Sequence, residues 1–361
     1  MESFRWVSEN LGMNRAVLYA LCAAALFGAS TPFAKLLTGD TPPVLLAGLL
    51  YLGSGLGLSL ARVIRDHGVR PSGLPKGEWP WLLGAIFFGG MLGPVALMFG
   101  LLSTSGSTAS LLLNLEAVLT AVIAWVVFKE NADRRIVIGM LAIVAGGVAL
   151  SWPTASAVQS SITGPALVGL ACLFWAIDNN LTRKVSASDA LFIAATKGVM
   201  AGAVNTLIAM GMGAVLPGFA TLLATMAVGL LGYGISLVLF VLALRGLGTA
   251  RTGAYFSTAP FIGAATALMV FPETTSLAFW VAAALMGLGV WLHLTEHHAH
   301  EHLHETLQHE HEHEHEHDEH HQHVHDFEWD GVEPHTHDHK HAKLKHEHAH
   351  FPDIHQRHSH S

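Results

Sequence analysis

The stretch from Ser107 to Glu130, STASLLLNLEAVLTAVIAWVVFKE, limits the possible fold more than any other. Between Thr108 and Phe128 it carries one ionisable residue, Glu116, near its middle. About 20 apolar residues at ~1.5 Å rise per residue cross a hydrocarbon core ~30 Å thick. A carboxylate at that depth is costly unless it is protonated, paired or hydrated. Glu116 is therefore either a protonated bridge between helices or a group in a transport pathway. The second is the expectation, and the rest of the chain reads as its scaffold.

The 361 residues are 51% hydrophobic and 13% charged, a membrane-protein composition. The charge is unevenly spread. From His293 onward lie 25 of the 26 histidines and 16 of the 27 acidic residues, but only 4 of the 19 basic ones. Two regions with different physics follow, a membrane domain to about residue 294 and a polar tail over 295–361. Cys22 and Cys172 both sit in apolar segments and read as small buried hydrophobes, not as a disulfide or metal pair. Met1 to Arg15 lacks a cleavage pattern, so the first apolar segment is expected to remain as an anchor.

Ten apolar segments can be marked, at about 16–37, 43–63, 80–102, 107–128, 135–152, 164–182, 189–212, 219–244, 251–271 and 276–294. Lipid offers no partner to an unpaired backbone group, so helices are expected. Loop charge sets their orientation. Arg62, Arg65, Arg70, Lys76, Lys129, Arg134, Arg135, Arg183, Lys184, Arg245 and Arg251 all follow even-numbered segments. The loops after odd-numbered segments carry no Lys or Arg. By the positive-inside rule both termini are cytoplasmic, in an inner or plasma membrane.

The chain also repeats itself. Residues 105–150 align without a gap on 248–293. Glu116-Ala117-Val118 then faces Ala259-Pro260-Phe261, and Phe128-Lys129-Glu130 faces Phe271-Pro272-Glu273. Gly146 faces Gly289, and Gly89 faces Gly232. Five segments per half is an odd number, so the halves are expected to be inverted, over 1–152 and 153–294. Inverted repeats place substrate at mid-depth between them.

The run Phe27-Gly28-Ala29-Ser30-Thr31-Pro32 with Lys35, and Glu116-Ala117-Val118-Leu119-Thr120-Ala121 leading to Lys129-Glu130, resemble EamA-type carriers of the drug/metabolite transporter superfamily. The resemblance covers about residues 15–294 in two copies. It implies an all-α membrane protein of ten transmembrane helices in two inverted five-helix repeats. It also implies a carrier of small organic solutes or metabolites, often an exporter. Two departures stand out. Ala117 occupies a place where the family often has Pro, and Ala259 leaves the second copy without an acid.

Glu116 heads the pathway candidates. Lys197, about eight residues into segment seven, is deep enough to pair with it. Asp178 and Asn179 belong to a polar run in segment six, with Trp175 one turn earlier. Gly89 with Pro94, and Gly232 in the other half, mark matching interruptions of segments three and eight; Pro260 marks segment nine. The alternative for these glycines is close helix packing. Asn114 and Asn205 are expected to hydrogen-bond between helices, and Lys35 to snorkel to the outer surface.

The tail begins HHAHEHLHETLQHEHEHEHEHDEHHQHVH and is low in complexity, so it is expected to be disordered without ligand. His309, His311, His313, His315, His317, His335, His337, His339 and His341 stand at His-X-His spacing. Neutral imidazoles suit Zn, Ni and Co, and interleaved carboxylates add oxygen ligands. No cofactor is required, although the tail can bind Zn, Ni or Co.

The expected function is secondary transport of a small organic metabolite or drug-like solute, outward, with a metal-binding regulatory tail. The alternative is a Ni, Co or Zn carrier whose tail collects or releases the cargo. No nucleophile–base set or phosphate loop points to an enzyme. The expected partners are the lipid bilayer, the solute and a divalent metal at the tail. A homodimer is compatible with the sequence, and nucleic acid is not expected.

Overall fold

The computed structural model describes residues 2–39, 41–68, 71–128, 134–152, 162–185, 188–240, 242–243, 252, 255–294, 299–304, 308–313, 335–340 and 344–349. Arg70, Lys129, Glu130, Arg245, Arg251, His315, His317 and His341 lie outside the described residues. The chain divides into two units, Met1–Glu296 and His297–Ser361.

The first unit is helical: α1 (Glu2–Leu37), α2 (Pro43–Arg65), α3 (Trp79–Ala85), α4 (Gly93–Leu102), α5 (Gly106–Leu112), α6 (Leu115–Phe128) and α7 (Arg134–Ser151). It continues through α8 (Thr163–Thr182), α9 (Ala190–Gly211), α10 (Phe219–Gly229), α11 (Ala259–Val270) and α12 (Leu277–Leu294). Among the described residues, seven stretches are long and apolar enough to cross a membrane: 15–37, 43–65, 76–102, 106–127, 134–151, 190–211 and 219–240. The protein is thus an integral, multi-pass membrane protein. Large apolar side chains lie exposed along these helices, Leu60, Ile64, Val126, Leu141 and Leu207 among them, as lipid contact requires.

Among the described residues, two stretches widen into π turns. Ile86–Leu92 between α3 and α4, and Leu230–Ile235 after α10, are π-helical. At the end of each the N–H skips to the fifth carbonyl back, Gly93 to Phe88 and Ser236 to Leu231. In the first, Pro94 has no N–H to give and its ring crowds the preceding turn. The glycines of both stretches let the widened turn sit against a neighbour. The two lie 143 residues apart in sequence, Gly89 matching Gly232.

The fourth and ninth segments break at corresponding places. α5 ends in a tightened turn where Asn114 N bonds Leu111 O at 3.0 Å. The Asn114 amide side chain donates to the same carbonyl, the local competition that breaks helices. In the second half Thr258 Oγ1 donates to Tyr255 O at 2.6 Å, and Pro260 stands in the first turn of α11. Asn114 and Thr258 are 144 residues apart, one off the repeat offset.

Helix packing treats the two halves alike. α2 packs on α9, and α7 on α12. α1 meets α11 as α8 meets α6, and α4 meets α8 as the end of the α10 segment meets α1. Small residues permit these approaches. A Cβ on Gly198 of α9 would lie 2.5 Å from Gly55 Cα of α2. Gly146 and Gly289 play the same part for α7 and α12, each facing the other's helix.

At one end of this bundle Asp189 caps α9 and receives Arg62 Nε at 3.2 Å and an Arg65 guanidinium nitrogen at 2.6 Å. The Arg65 hydrogen bond, foremost, holds the Asp189 carboxyl down at about 2. Its folded pKa lies below its ordinary value, so its stabilisation is present above that value and is lost as pH falls through about 2.

Where the sequence reads as disordered, the second unit has strands among its described residues, while the membrane unit is all-α. Four strands occur, β1 (Ala299–His304), β2 (Gln308–His313), β3 (His335–Lys340) and β4 (Leu344–Ala349). β1 pairs with β4 and β2 with β3, both antiparallel.

Gly198→Ala should lower the thermal midpoint in detergent, with a cost of about 1–3 kcal/mol from overpacking. Gly169→Ala should not, since nothing lies within 4 Å of a Cβ there. Equal midpoints for the two variants would show that the α2–α9 approach does not depend on Gly198.

Candidate functional site

The π turn between α3 and α4 organises the polar centre of the bundle. Widening the helix leaves the Gly89 carbonyl short of a ladder partner, and lipid supplies none. Two side chains serve it: Tyr51 Oη of α2 donates at 2.9 Å and Trp175 Nε1 of α8 at 3.0 Å. Both are buried. The absent side chain at Gly89 is filled by the Asp178 carboxylate, which lies against it.

Asp178 is 4% exposed and pairs with Lys197 of α9. Thr182 Oγ1, one turn on, donates to its other oxygen at 2.9 Å. Lys197 thus pairs with Asp178 and not with Glu116, contrary to the sequence reading. The reason is position: Asp178 is the carboxylate that the Gly89 gap admits between α8 and α9. A buried carboxylate depends strongly on the cation paired with it.

Glu116 stands in the first turn of α6, just past the break at Asn114. Its Oε1 accepts from Asn179 Nδ2 at 2.9 Å. The same amide reaches Thr120 Oγ1 at 3.3 Å. Adjacent Asp178 and Asn179 therefore serve different partners, Lys197 and Glu116, as three polar neighbours on one helix must. Asn180 donates to Ala176 O and Thr120 O.

Aromatic rings close one side. Phe27 of α1 stands 6.5 Å from Trp175, 6.0 Å from Tyr233 and 5.4 Å from Phe256, centroid to centroid. Tyr51 and Tyr233 are 5.5 Å apart. Gly232, beside Tyr233 on the second π turn, lies against Ser30 of α1. The two π glycines thus face the opening helix of the other half, one meeting an acid and the other a hydroxyl. Pro94 begins α4 under the first π turn, and Pro260 begins α11, where the preceding Ala259 carbonyl fills the gap at Gly28.

Lys35 does not snorkel. Its Nζ donates to Leu101 O and Thr104 O, both at 2.7 Å, and caps the end of α4. Glu273 accepts from Gly106 N at 2.6 Å and Ser107 N at 3.1 Å, capping α5. Asn205 bonds Met91 O across helices as expected, and Asn114 Nδ2, besides bonding Leu111 O on its own segment, reaches Met286 Sδ of α12 at 3.9 Å. Sequence reasoning missed the roles of Tyr51 and Trp175 toward Gly89. The usable signal was a phenol and an indole in apolar spans, since buried rings of that kind seek an acceptor. Among the described residues, no group of three or more His, Cys, Asp or Glu converges as a metal site would.

Residues 14–152 match the EamA-like transporter family. That is a family of transporters, not of enzymes. An uncharacterized transporter of Methanothermobacter thermautotrophicus is 25% identical over 288 residues, covering 75% of this chain and 84% of its own. A solved crystal structure, described only as that of a protein, is 21% identical. It covers 77% of this chain and 94% of its own with a TM-score of 0.58, a likeness of fold.

Lys197→Met should lower the thermal midpoint strongly, by about 3–5 kcal/mol, because it leaves Asp178 buried without its cation. Adding Asp178→Asn should recover most of the loss. A double variant no more stable than the single one would mean that Asp178 is not held by Lys197.

Proposed function

We propose that the chain is an EamA-type secondary carrier that exports a small organic metabolite or drug-like solute. The observation that carries this reading is the polar centre just described. Two carboxylates, one lysine and an aromatic wall meet where helices are widened or broken, inside a chain whose first part matches a transporter family. Broken helices near mid-depth are where carriers hold substrate and coupling ions.

Ten spans in two inverted halves, 1–152 and 153–294, fit this reading. The seven long spans leave α8, α11 and α12 as the other three. The paired π turns, the paired breaks and the exchange symmetry of packing support the repeat. Five spans per half make the halves antiparallel, and loop charge puts both termini in the cytoplasm. Glu116 is proposed as the proton-coupling group. Its carboxylate accepts from the neutral amide of Asn179, whereas Asp178 is the one paired with Lys197. Asp178, Asn179 and Lys197 bind the solute, and Gly89, Gly232, Pro94 and Pro260 shape and hinge the cavity.

The tail, 295–361, is proposed to bind Zn, Ni or Co and to regulate the carrier. A metal cargo is the second reading, favoured by the His-X-His spacing alone. The centre argues for the organic solute, because its one ion pair is internal and its wall is aromatic.

Orientation is tested by thiol labelling in intact cells, on a background without Cys22 and Cys172. Val215→Cys should react with an impermeant reagent and Lys76→Cys should not; the reverse pattern would invert the topology. Mechanism is tested by flux in proteoliposomes. Glu116→Gln should fold normally and lose gradient-driven transport. Deletion from His297 should keep organic flux and abolish its response to Zn, Ni or Co. Proton coupling retained in Glu116→Gln would make that residue a structural bridge. Metal flux without organic flux in the deletion would promote the second reading.

A further inference from the structure

The stretch from Gly93 to Leu113 has irregular backbone at both of its roots. Before it lies the first π turn, Ile86–Leu92. After it comes the break where Asn114 N bonds Leu111 O. Between the roots run α4, the turn at 103–105, and α5. The ten residues of α4 rise ~15 Å, half of a ~30 Å hydrocarbon core. The hairpin therefore runs from mid-depth to one surface. Helices bend at π turns and where a side chain enters the ladder, so each root is a hinge.

The tip is held by two charged side chains from other segments. Lys35, in the last turn of α1, donates to Leu101 O and Thr104 O, both at 2.7 Å. Glu273, just past α11, accepts from Gly106 N at 2.6 Å and Ser107 N at 3.1 Å. The cation serves the bare carbonyls before the turn, and the anion serves the bare N–H groups after it. Bonds of this charge-assisted kind are about twice as strong as neutral ones. Water near the surface can take them over when the tip lifts, an exchange that lipid denies to groups deeper in the bundle.

Below the tip the hairpin meets its neighbours through small residues. A Cβ on Gly263 of α11 would lie 2.9 Å from Ser110 Oγ, and Thr104 lies against Gly164 of α8. Thr104 Oγ1 and Ser110 Oγ are both buried with no hydrogen-bond partner among the described residues. An unpaired buried hydroxyl is costly, and water would satisfy both if the hairpin swung away. The closed seam thus carries a cost that an open, wetted one would relieve.

The roots also touch the polar centre. The first π turn carries Gly89, against which Asp178 lies. Glu116 follows the Asn114 break, and its N–H bonds Leu113 O at 3.1 Å. Hinge and carboxylate share one turn, so a swing of the hairpin alters the surroundings of Glu116.

We propose that Gly93–Leu113 is a gate over the outer end of the bundle, hinged at the first π turn and at the Asn114 break and latched by Lys35 and Glu273. The proposal rests on the reading of the chain as a carrier, with loop charge naming the outer end. It adds which piece moves and which residues hold it shut. Lys35 and Glu273 position the gate and do not touch the solute. When both release the tip, water reaches Ser110 from outside, and the way to the polar centre opens along the same seam.

The test uses the full-length protein in intact cells, on a background without Cys22 and Cys172. It reads the rate at which one introduced cysteine reacts with an impermeant thiol reagent added outside. Ser110→Cys reports the seam under the tip. Val118→Cys, buried beyond the hinge in the cluster with Ile143 and Met286, reports the rest of the bundle. Lys35→Met and Glu273→Gln should each speed reaction at Ser110→Cys about tenfold or more, the scale of losing a hydrogen bond to a charged group. Neither should change the rate at Val118→Cys. Amide exchange on the unaltered protein in detergent needs no latch variant: residues 105–113 should exchange faster than residues 115–128. Equal acceleration at the two cysteines overturns the gate, since the whole bundle has then loosened. An unchanged rate at Ser110→Cys in both latch variants overturns the latch and leaves Lys35 and Glu273 as plain caps. Acceleration seen only from the cytoplasmic side, in inside-out vesicles, overturns the outer placement. Exchange over 105–113 no faster than over 115–128 overturns the hinged hairpin. These measurements use no transported solute, so failure of the exporter reading shows separately, in the flux assays.

Discussion

The Gly89 carbonyl and the Asp178 carboxylate share one small volume, and most of the bundle's specific chemistry serves to make that volume tenable. A polar group at this depth has no water to fall back on. The π turn frees a carbonyl, so a phenol and an indole must come to it from α2 and α8. The missing side chain at Gly89 admits a carboxylate, so a lysine must come from α9. Each partner fixes the rotation of its helix about its own axis. Three helices are thereby set in register with the third segment by hydrogen bonds, in a medium where apolar packing alone discriminates weakly between rotations.

The two halves solve the same backbone problem with different residues. One break is made by an asparagine side chain bonding its own turn, the other by a threonine and a proline. One π turn is forced by Pro94, while the other has glycines and no proline. Backbone shape is therefore symmetric and charge is not. Gly89 meets Asp178, whereas Gly232 meets Ser30. Glu116 has Ala259 as its counterpart. The carboxylates and the lysine of this centre therefore come from the first five segments and from α8 and α9, with none from the second π turn.

Much of this was legible in the sequence because it depends on length, periodicity and backbone breakers. Gly89, Gly232, Pro94 and Pro260 mark interruptions whatever surrounds them. The deep acids were visible because lipid makes them conspicuous. Partner choice was not visible. Lys197 lies deep enough to reach either Glu116 or Asp178, and the choice turns on which carboxylate fits the gap at Gly89. That is a property of three helices at once. The same limit explains Lys35. Two residues from a helix end, it could reach the interface, yet the end of α4 offers two bare carbonyls nearer by.

The tail shows a different kind of limit. Alternating His and Glu says that histidines share a face, but it does not say which histidine meets which. Slipping one arm by two residues again sets His309, His311 and His313 opposite histidines, at His341, His339 and His337. A slip by one sets them opposite Lys340, Asp338 and Thr336 instead. The sequence therefore fixes the parity of the pairing and leaves the register itself to the structure. This degeneracy weakens most sheets, because a slip usually moves a hydrophobic face into water. An even slip keeps histidine opposite histidine and an odd slip does not, so composition narrows the register without choosing it.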